Sequence, residues 1–381
     1  MTVAMLLGLV HAATDLATVT AMVRATGLGA DTAGAVFAWF LLYDVLAFAG
    51  QPFVGLVVDR LRAGPVVLAG LAVTGGAVAL ASGAGSSAVV GLAAVVVAAL
   101  GNAVTHVGAG VVVLRGDLTR ATPAGLLVAP GALGLGLGLW FGRNPAVGPT
   151  WWPAVPLAAT AALALHLHRT GRLDPTVAAM PRGPGERLLP PPREILVTAA
   201  VGLLLLSVGI RALVAASAGR GYSPGAWLTA GIPLAAFAGK ALGGVLADRL
   251  GWVAATVGAL IVSLPFLAVQ HAHPALLLVG LLVFQTTMPV TLVAVGRLLP
   301  LRPATAFGLP CAALLVGALP ASFSWGAAVC ARPALGAWIA VSVGAAWSGL
   351  HLAGLGRRRR APAPGSAPAP AREPATEAFA P

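Results

Sequence analysis

Long apolar runs, separated by short polar stretches, make up most of this chain. They fall at about 2–23, 33–58, 65–83, 87–113, 122–142 and 150–168, then at 194–216, 225–247, 252–270, 274–296, 303–321 and 333–355. A helix needs about 20 apolar residues to cross a bilayer with its backbone bonded internally. Strands of a membrane barrel would alternate with period two, and these runs do not. The pattern therefore predicts an all-α integral membrane protein of twelve spans. Six precede and six follow a charged, Pro-rich stretch at 169–193, giving bundles at 1–168 and 194–356 with a linker between them. The basic, Pro/Ala-rich stretch 357–381 cannot bury enough surface to fold and is expected to be disordered. The first run has no basic residue ahead of it and contains Asp15, so it is expected to be a retained span.

The two bundles share a repeat. Phe48 to Leu61 and Phe237 to Leu250 align at an offset of 189 with seven of fourteen positions identical: Phe48/Phe237, Ala49/Ala238, Gly50/Gly239, Gly55/Gly244, Asp59/Asp248, Arg60/Arg249 and Leu61/Leu250. A fixed-offset repeat in an apolar chain points to a two-bundle secondary transporter.

Composition sharpens the class. The chain is 58% hydrophobic and 9% charged, against roughly 25% charged in soluble domains. Its net charge of +12 is a topology signal and not a nucleic-acid footprint. With the N-terminus on one side, seventeen arginines fall in loops and tails on that side and four (Arg24, Arg143, Arg220, Arg332) on the other. The positive-inside rule then puts both termini in the cytoplasm. Cys311 and Cys330 are too few for a disulfide framework, and 19 residues of helix would separate them by about 28 Å.

Polar residues inside the spans concentrate on the first and fourth of each half: His11 and Asp15, Asn102 and His106, Arg211, and Gln285 with Thr286, Thr287 and Pro289. His11/Asp15 and Asn102/His106 are each four apart and so share a helix face. An intramembrane aspartate costs roughly 2.5–3.5 kcal/mol, so Asp15 must be paired, protonated or wet. It is expected to be the proton or substrate group with His11 beside it; a structural lock to a neighbouring span is the plainer alternative. Asp44, Asn102, His106, Arg211 and Gln285 join it as expected pathway residues. Lys240, the one lysine, sits where it could snorkel. The glycines of Gly131-Ala-Leu-Gly134-Leu-Gly136-Leu-Gly138 permit close helix packing or a hinge.

Gly55-x-x-x-Asp59-Arg60 and Gly244-x-x-x-Asp248-Arg249-x-Gly251 resemble the signature loops of the major facilitator superfamily. The first copy has Arg62 where the second has glycine, and both lack the basic pair that follows in the family. The resemblance implies a conformational latch of Gly55, Asp59, Arg60, Arg115, Gly244, Asp248, Arg249 and Arg297. Each Asp would accept from the N-terminus of the next helix and pair with a nearby arginine: Arg115 for Asp59, and Arg297 or Arg302 for Asp248. Within the superfamily, His11-x-x-x-Asp15, Gln51-Pro52-x-x-Gly55-x-x-x-Asp59-Arg60 and Leu100-Gly101-x-Ala103-x-x-His106 resemble fosmidomycin-resistance-type bacterial exporters. Those carry Pro and Glu after the fourth-span histidine; Val107 and Gly108 stand here.

The expectation is a monomeric, proton-driven exporter of a small organic compound in a bacterial inner membrane, working by alternating access. Uptake or facilitated diffusion on the same fold is the alternative. A membrane-embedded metal enzyme using His11, Asp15 and His106 is a remote one, since no His-Glu-x-x-His or Gly-x-Ser-x-Gly stretch and no cysteine cluster is present. No catalytic residue, metal ligand or cofactor is expected.

Overall fold

In a computed structural model the described residues are 2–27, 33–85, 87–175, 194–218, 226–323, 326, 329–330 and 332–355. The expected linker beyond 175 and the expected tail lie outside them. The structure is helical throughout the described residues. The first half contains α1 (Thr2–Ala25), α2 (Ala33–Asp44, continuing through a π-helical turn Val45–Ala49 into Gln51–Val58), α3 (Ala63–Gly83), α4 (Ala88–Gly116), α5 (Thr122–Arg143) and α6 (Ala154–Arg169). The second contains α7 (Glu194–Ser217), α8 (Ala226–Leu250), α9 (Trp252–Ala268), α10 (Pro274–Gln285, then Met288–Leu298), α11 (Pro303–Ala318) and α12 (Arg332–Leu352). All twelve expected spans form, and ten helices among the described residues are long and apolar enough to cross a membrane.

Local chemistry sets several boundaries. Ser87 caps α4 by accepting from the Val90 amide at 3.4 Å, and the His273 ring accepts from the Ala275 amide at 3.1 Å to open α10. Pro123, Pro274 and Pro303 stand in the first turns of α5, α10 and α11, where no amide donor is needed. A single residue, Gly251 at φ 93°, joins α8 to α9; that left-handed backbone favours glycine. Two spans read from the pattern as continuous are interrupted, α2 by the π turn and α10 at Thr286–Thr287 just before Pro289. Proline removes a helix donor and crowds the preceding turn.

The exterior is apolar, with Leu9, Phe53, Val57, Ile195, Val262 and Val341 all exposed, as lipid-facing helices require. Trp151 and Trp152 lie exposed just before the short α6, and exposed indole rings at the ends of spans favour the membrane interface. α1 runs through the most enclosed position, with Leu7, Val10, Ala17, Ala21 and Met22 fully buried. The halves meet where α2 packs on α11 and α5 packs on α8.

Candidate functional site

Asp15 is the hub of a buried polar cluster. Its Oδ2 lies 3.2 Å from His11 Nε2 and its Oδ1 lies 3.4 Å from His106 Nε2. Asn102 Nδ2 donates to Oδ1 at 2.8 Å. Asp15 and His106 are 6% exposed and Asn102 1%. The pairing expected from sequence, His11/Asp15 on α1 and Asn102/His106 on α4, thus converges on one carboxylate. Each imidazole is oriented by a carbonyl: His11 Nδ1 is 3.0 Å from Leu127 O, and His106 Nδ1 is 2.7 Å from Asn102 O. A carbonyl only accepts, so both Nδ1 atoms carry hydrogen. A neutral ring then presents a bare lone pair on Nε2, aimed at the carboxylate. Two such nitrogens and one carboxylate form a nest of electron pairs that must hold something positive.

Room for the His11 ring comes from α5. A Cβ on Gly131 would sit 2.1 Å from His11 Nε2. The glycine stretch of α5 is therefore tied to the site as well as to packing.

A hydrogen-bonded chain leads from this cluster to a cavity. The second Asn102 hydrogen reaches Thr18 Oγ1 at 3.3 Å, Thr18 donates to Thr14 O at 2.9 Å, and the Tyr43 hydroxyl lies 2.8 Å from Thr18. Tyr43 and Asp44 line a 320 Å³ cavity with Met22, Phe40, Phe48, Leu139 and Leu314. The walls come from the ends of α1, α2, α5 and α11 remote from Asp59 and Asp248, so the cavity lies on the side with few arginines. Asp44 has no hydrogen bond or ion pair among the described residues, and a π turn follows it. Such turns recur at functional positions.

Arg211 and Gln285 lie apart from the Asp15 cluster. Arg211 donates to Ser207 O at 3.2 Å, to Thr291 Oγ1 at 2.9 Å and to Thr287 Oγ1. Two of these bonds tie α7 to α10 at its break, and together the three engage three of the five guanidinium N–H groups. It does not pair with Asp15. Gln285 is half-buried and shares a 40 Å³ crevice with Arg211. Lys240, on α8, lies against α5 across the half-to-half boundary: a Cβ on Gly125 would meet the Lys240 carbonyl at 2.7 Å.

The two Asp residues of the repeat act across that boundary as well. Asp59 Oδ1 accepts from the Ala304 amide at 2.7 Å, and Oδ2 accepts from the Thr305 amide at 3.2 Å and hydroxyl at 2.7 Å. Asp248 accepts from the Ala121 amide at 2.7 Å, and from the Thr122 amide and hydroxyl at 2.9 and 2.5 Å. Each half thus caps the N-terminus of a helix in the other, α11 or α5. This corrects the expectation that each Asp serves the next helix in sequence. The glycines one turn earlier let the helix ends approach. A Cβ on Gly55 would meet Thr305 Cα and N at 2.7 Å, and one on Gly244 would meet Ala121 O and Thr122 Cα at 2.7 Å.

The expected arginine partners are corrected too. Arg115 donates to Leu61 O at 3.5 Å, and Arg297 stacks 5.5 Å above the Trp252 ring. Arg60 and Arg249 are exposed and make no ion pair among the described residues, although Arg249 lines a crevice with Asp248. Arg120 lines the same crevice and is held by Asp117 at 2.7 Å. The receiving residues were missed from sequence. A second repeat marks them: Ala121-Thr122-x-x-Gly125-Leu126 and Ala304-Thr305-x-x-Gly308-Leu309, offset by 183.

No family model matches this sequence, and no curated protein matches it. Among solved structures, it is similar to the major facilitator superfamily transporter FucP in the outward conformation: TM-score 0.65, 13% identity, covering 93% of this chain and 98% of that one. It is also similar to a variant of the Escherichia coli fucose:proton symporter FucP, with TM-score 0.60, 15% identity and 92% and 97% of the chains covered. The human organic anion transporter MFSD10 gives TM-score 0.61 and 17% identity over 91% and 97%. These neighbours are transporters. With its twelve helices in two related halves, this chain is a multi-pass membrane protein with the fold of the major facilitator superfamily transporters.

Proposed function

We propose that the chain is a monomeric secondary active transporter that exports a small organic compound in exchange for protons by alternating access. In this reading it resides in a bacterial cytoplasmic membrane with both termini inside. One observation carries it: a buried carboxylate faced by two imidazole lone pairs, linked by hydrogen bonds to a cavity on the opposite side from the basic loops. The crossed Asp caps close the basic face while the cavity remains on the other. Alternating access needs such a pairing of closed and accessible faces. The fosmidomycin-resistance likeness adds to the export reading.

The cavity also narrows the substrate. Its walls are apolar and aromatic, and Asp44 is the charged group in them, which fits a lipophilic organic cation. Arg211 does not line this cavity; it is bonded to Thr287 and Thr291 of α10. Uptake or facilitated diffusion is the second reading. Gly108 stands where the exporters it resembles carry a carboxylate, and one structural neighbour is a symporter.

The test is export of cationic dyes from inverted vesicles or pump-deficient cells, driven by an imposed pH gradient. Export that is lost in Asp15→Asn at unchanged membrane level, and lost for cations but not neutral compounds in Asp44→Asn, supports the reading. Transport indifferent to the gradient, or unchanged in Asp15→Asn, overturns it.

A further inference from the structure

The geometry points to a divalent transition-metal site at His11, Asp15 and His106, of the zinc class, which competes with the proton for the same electron pairs. No enzyme activity is implied, and the site does not depend on the direction of transport or on the nature of the organic substrate.

Three features carry this. The first is convergence. One ring nitrogen from each histidine and one carboxylate oxygen lie within 4.8 Å of one another; His11 Nε2 comes within 3.2 Å of Oδ2 and His106 Nε2 within 3.4 Å of Oδ1. Ligands at about 2.0–2.1 Å from a tetrahedral ion are separated by about 3.4 Å. The two rings meet edge to face, with centroids 4.0 Å apart, beside the same carboxylate. Sharing a proton requires only two of these groups, whereas a metal uses all three.

The second is the outer support. A metal-binding histidine usually donates its other ring N–H to a carbonyl or carboxylate, which fixes the tautomer and the ring plane. Leu127 O and Asn102 O do this for His11 and His106. Asn102 Nδ2 does the equivalent for the carboxylate. The third is an orphaned acceptor. Asn102 Oδ1, on the side chain already bonded to Asp15, is buried without a hydrogen-bond partner. A three-ligand site leaves a fourth position for water, and a metal-bound water is a donor that would satisfy this oxygen. Mixed imidazole and carboxylate donors suit Zn, Ni and Co over Ca and Mg. An ion entering from the cavity would first meet the Asp44 carboxylate.

Binding is measured directly on the purified full-length protein in detergent, by titrating Zn(II) calorimetrically and Co(II) by its visible spectrum. The expected result is one saturable site per chain and a tetrahedral Co(II) spectrum. Affinity should fall by at least about ten-fold in each of His11→Gln, His106→Gln and Asp15→Asn. Thermal unfolding in chelator shows whether each variant remains folded, and the wild-type Co(II) spectrum needs no variant. The proposal is overturned by the absence of saturable binding. It is equally overturned by a site that survives in the His11→Gln/His106→Gln double variant, which would place the metal at other histidines such as His166 and His168. Neither outcome bears on the transport reading, which is tested without metal.

Discussion

The Asp59 carboxylate and the Ala304 amide lie 2.7 Å apart across the boundary between the two halves. Asp248 holds Ala121 at the same distance in the opposite direction. Four backbone amides at two helix N-termini, each of which would otherwise lack a partner, are satisfied by carboxylates from the other half. An N-terminal cap of this kind contributes about 0.5–2 kcal/mol, with a further gain from the helix dipole.

Losing one cap should therefore shift the balance between closed and open basic faces by about 2- to 30-fold, as 1.4 kcal/mol corresponds to a factor of ten. Spin labels at Leu61 and Leu301, both exposed, would show a longer-distance population in Asp59→Ala and in Asp248→Ala. The double variant should show the sum of the two shifts. An unchanged distance distribution would rule out a latch.

Gly55→Ala and Gly244→Ala should weaken closure without touching a charge. The added methyl meets backbone of Thr305 or Thr122 at 2.7 Å, and backbone cannot step aside as a side chain can. Overpacking of this sort costs about 1–3 kcal/mol. The same label pair should open in both variants, and the thermal midpoint of the protein should fall.

Tyr43→Phe removes the hydroxyl that joins the cavity wall to Thr18. A hydrogen bond of this type is worth about 0.5–1.5 kcal/mol. Protein level should hold while the dependence of transport on the pH gradient weakens. Full coupling in this variant would exclude the Tyr43–Thr18–Asn102 chain from the mechanism.

Arg211→Ala should act on stability and not on substrate choice. It removes the hydrogen bonds to Thr287 and Thr291 that tie α7 to α10, each worth about 0.5–1.5 kcal/mol. Lower yield and a lower unfolding temperature with an unaltered substrate profile is the expected outcome. A changed profile at normal stability would return Arg211 to the transport path.

The loop between α4 and α5 carries a pH prediction. Burial raises the Asp117 pKa, but hydrogen bonds from Thr119 and Arg120 outweigh it and hold the carboxyl below its ordinary value. A depressed carboxyl stabilises the fold above its unfolded pKa and loses that contribution as the pH falls through the folded value. Acid should therefore loosen the Arg120 side of the α5 cap. Asp117→Asn should lower stability at neutral pH and flatten its loss on acidification, read from unfolding temperatures between about pH 3 and 7.

The spans were legible because apolar length is a strong signal. His11 with Asp15 and Asn102 with His106 were legible as pairs because a spacing of four fixes a common face. Their meeting was not, since packing of α1 on α4 is a tertiary fact. The identities of the latch partners were misread for a specific reason. The eye looks for a cation opposite each Asp, while Asp59 and Asp248 bind backbone N–H groups, which every residue but proline possesses. The tie of Arg211 to α10 was not legible, because the two hydroxyls it donates to sit 76 and 80 residues away in the chain.

The use of backbone as receptor has an evolutionary corollary. An amide at a helix start survives nearly any substitution at its own position. Contacts of this kind place firm demands on the Gly and Asp of each repeat and on the Thr hydroxyl each Asp also accepts from, and few on the side chains around them. Mutational drift can then erase most of the sequence around the interface while the contact persists. That is one physical route by which a chain 13% identical to a solved transporter comes to have the same arrangement of helices.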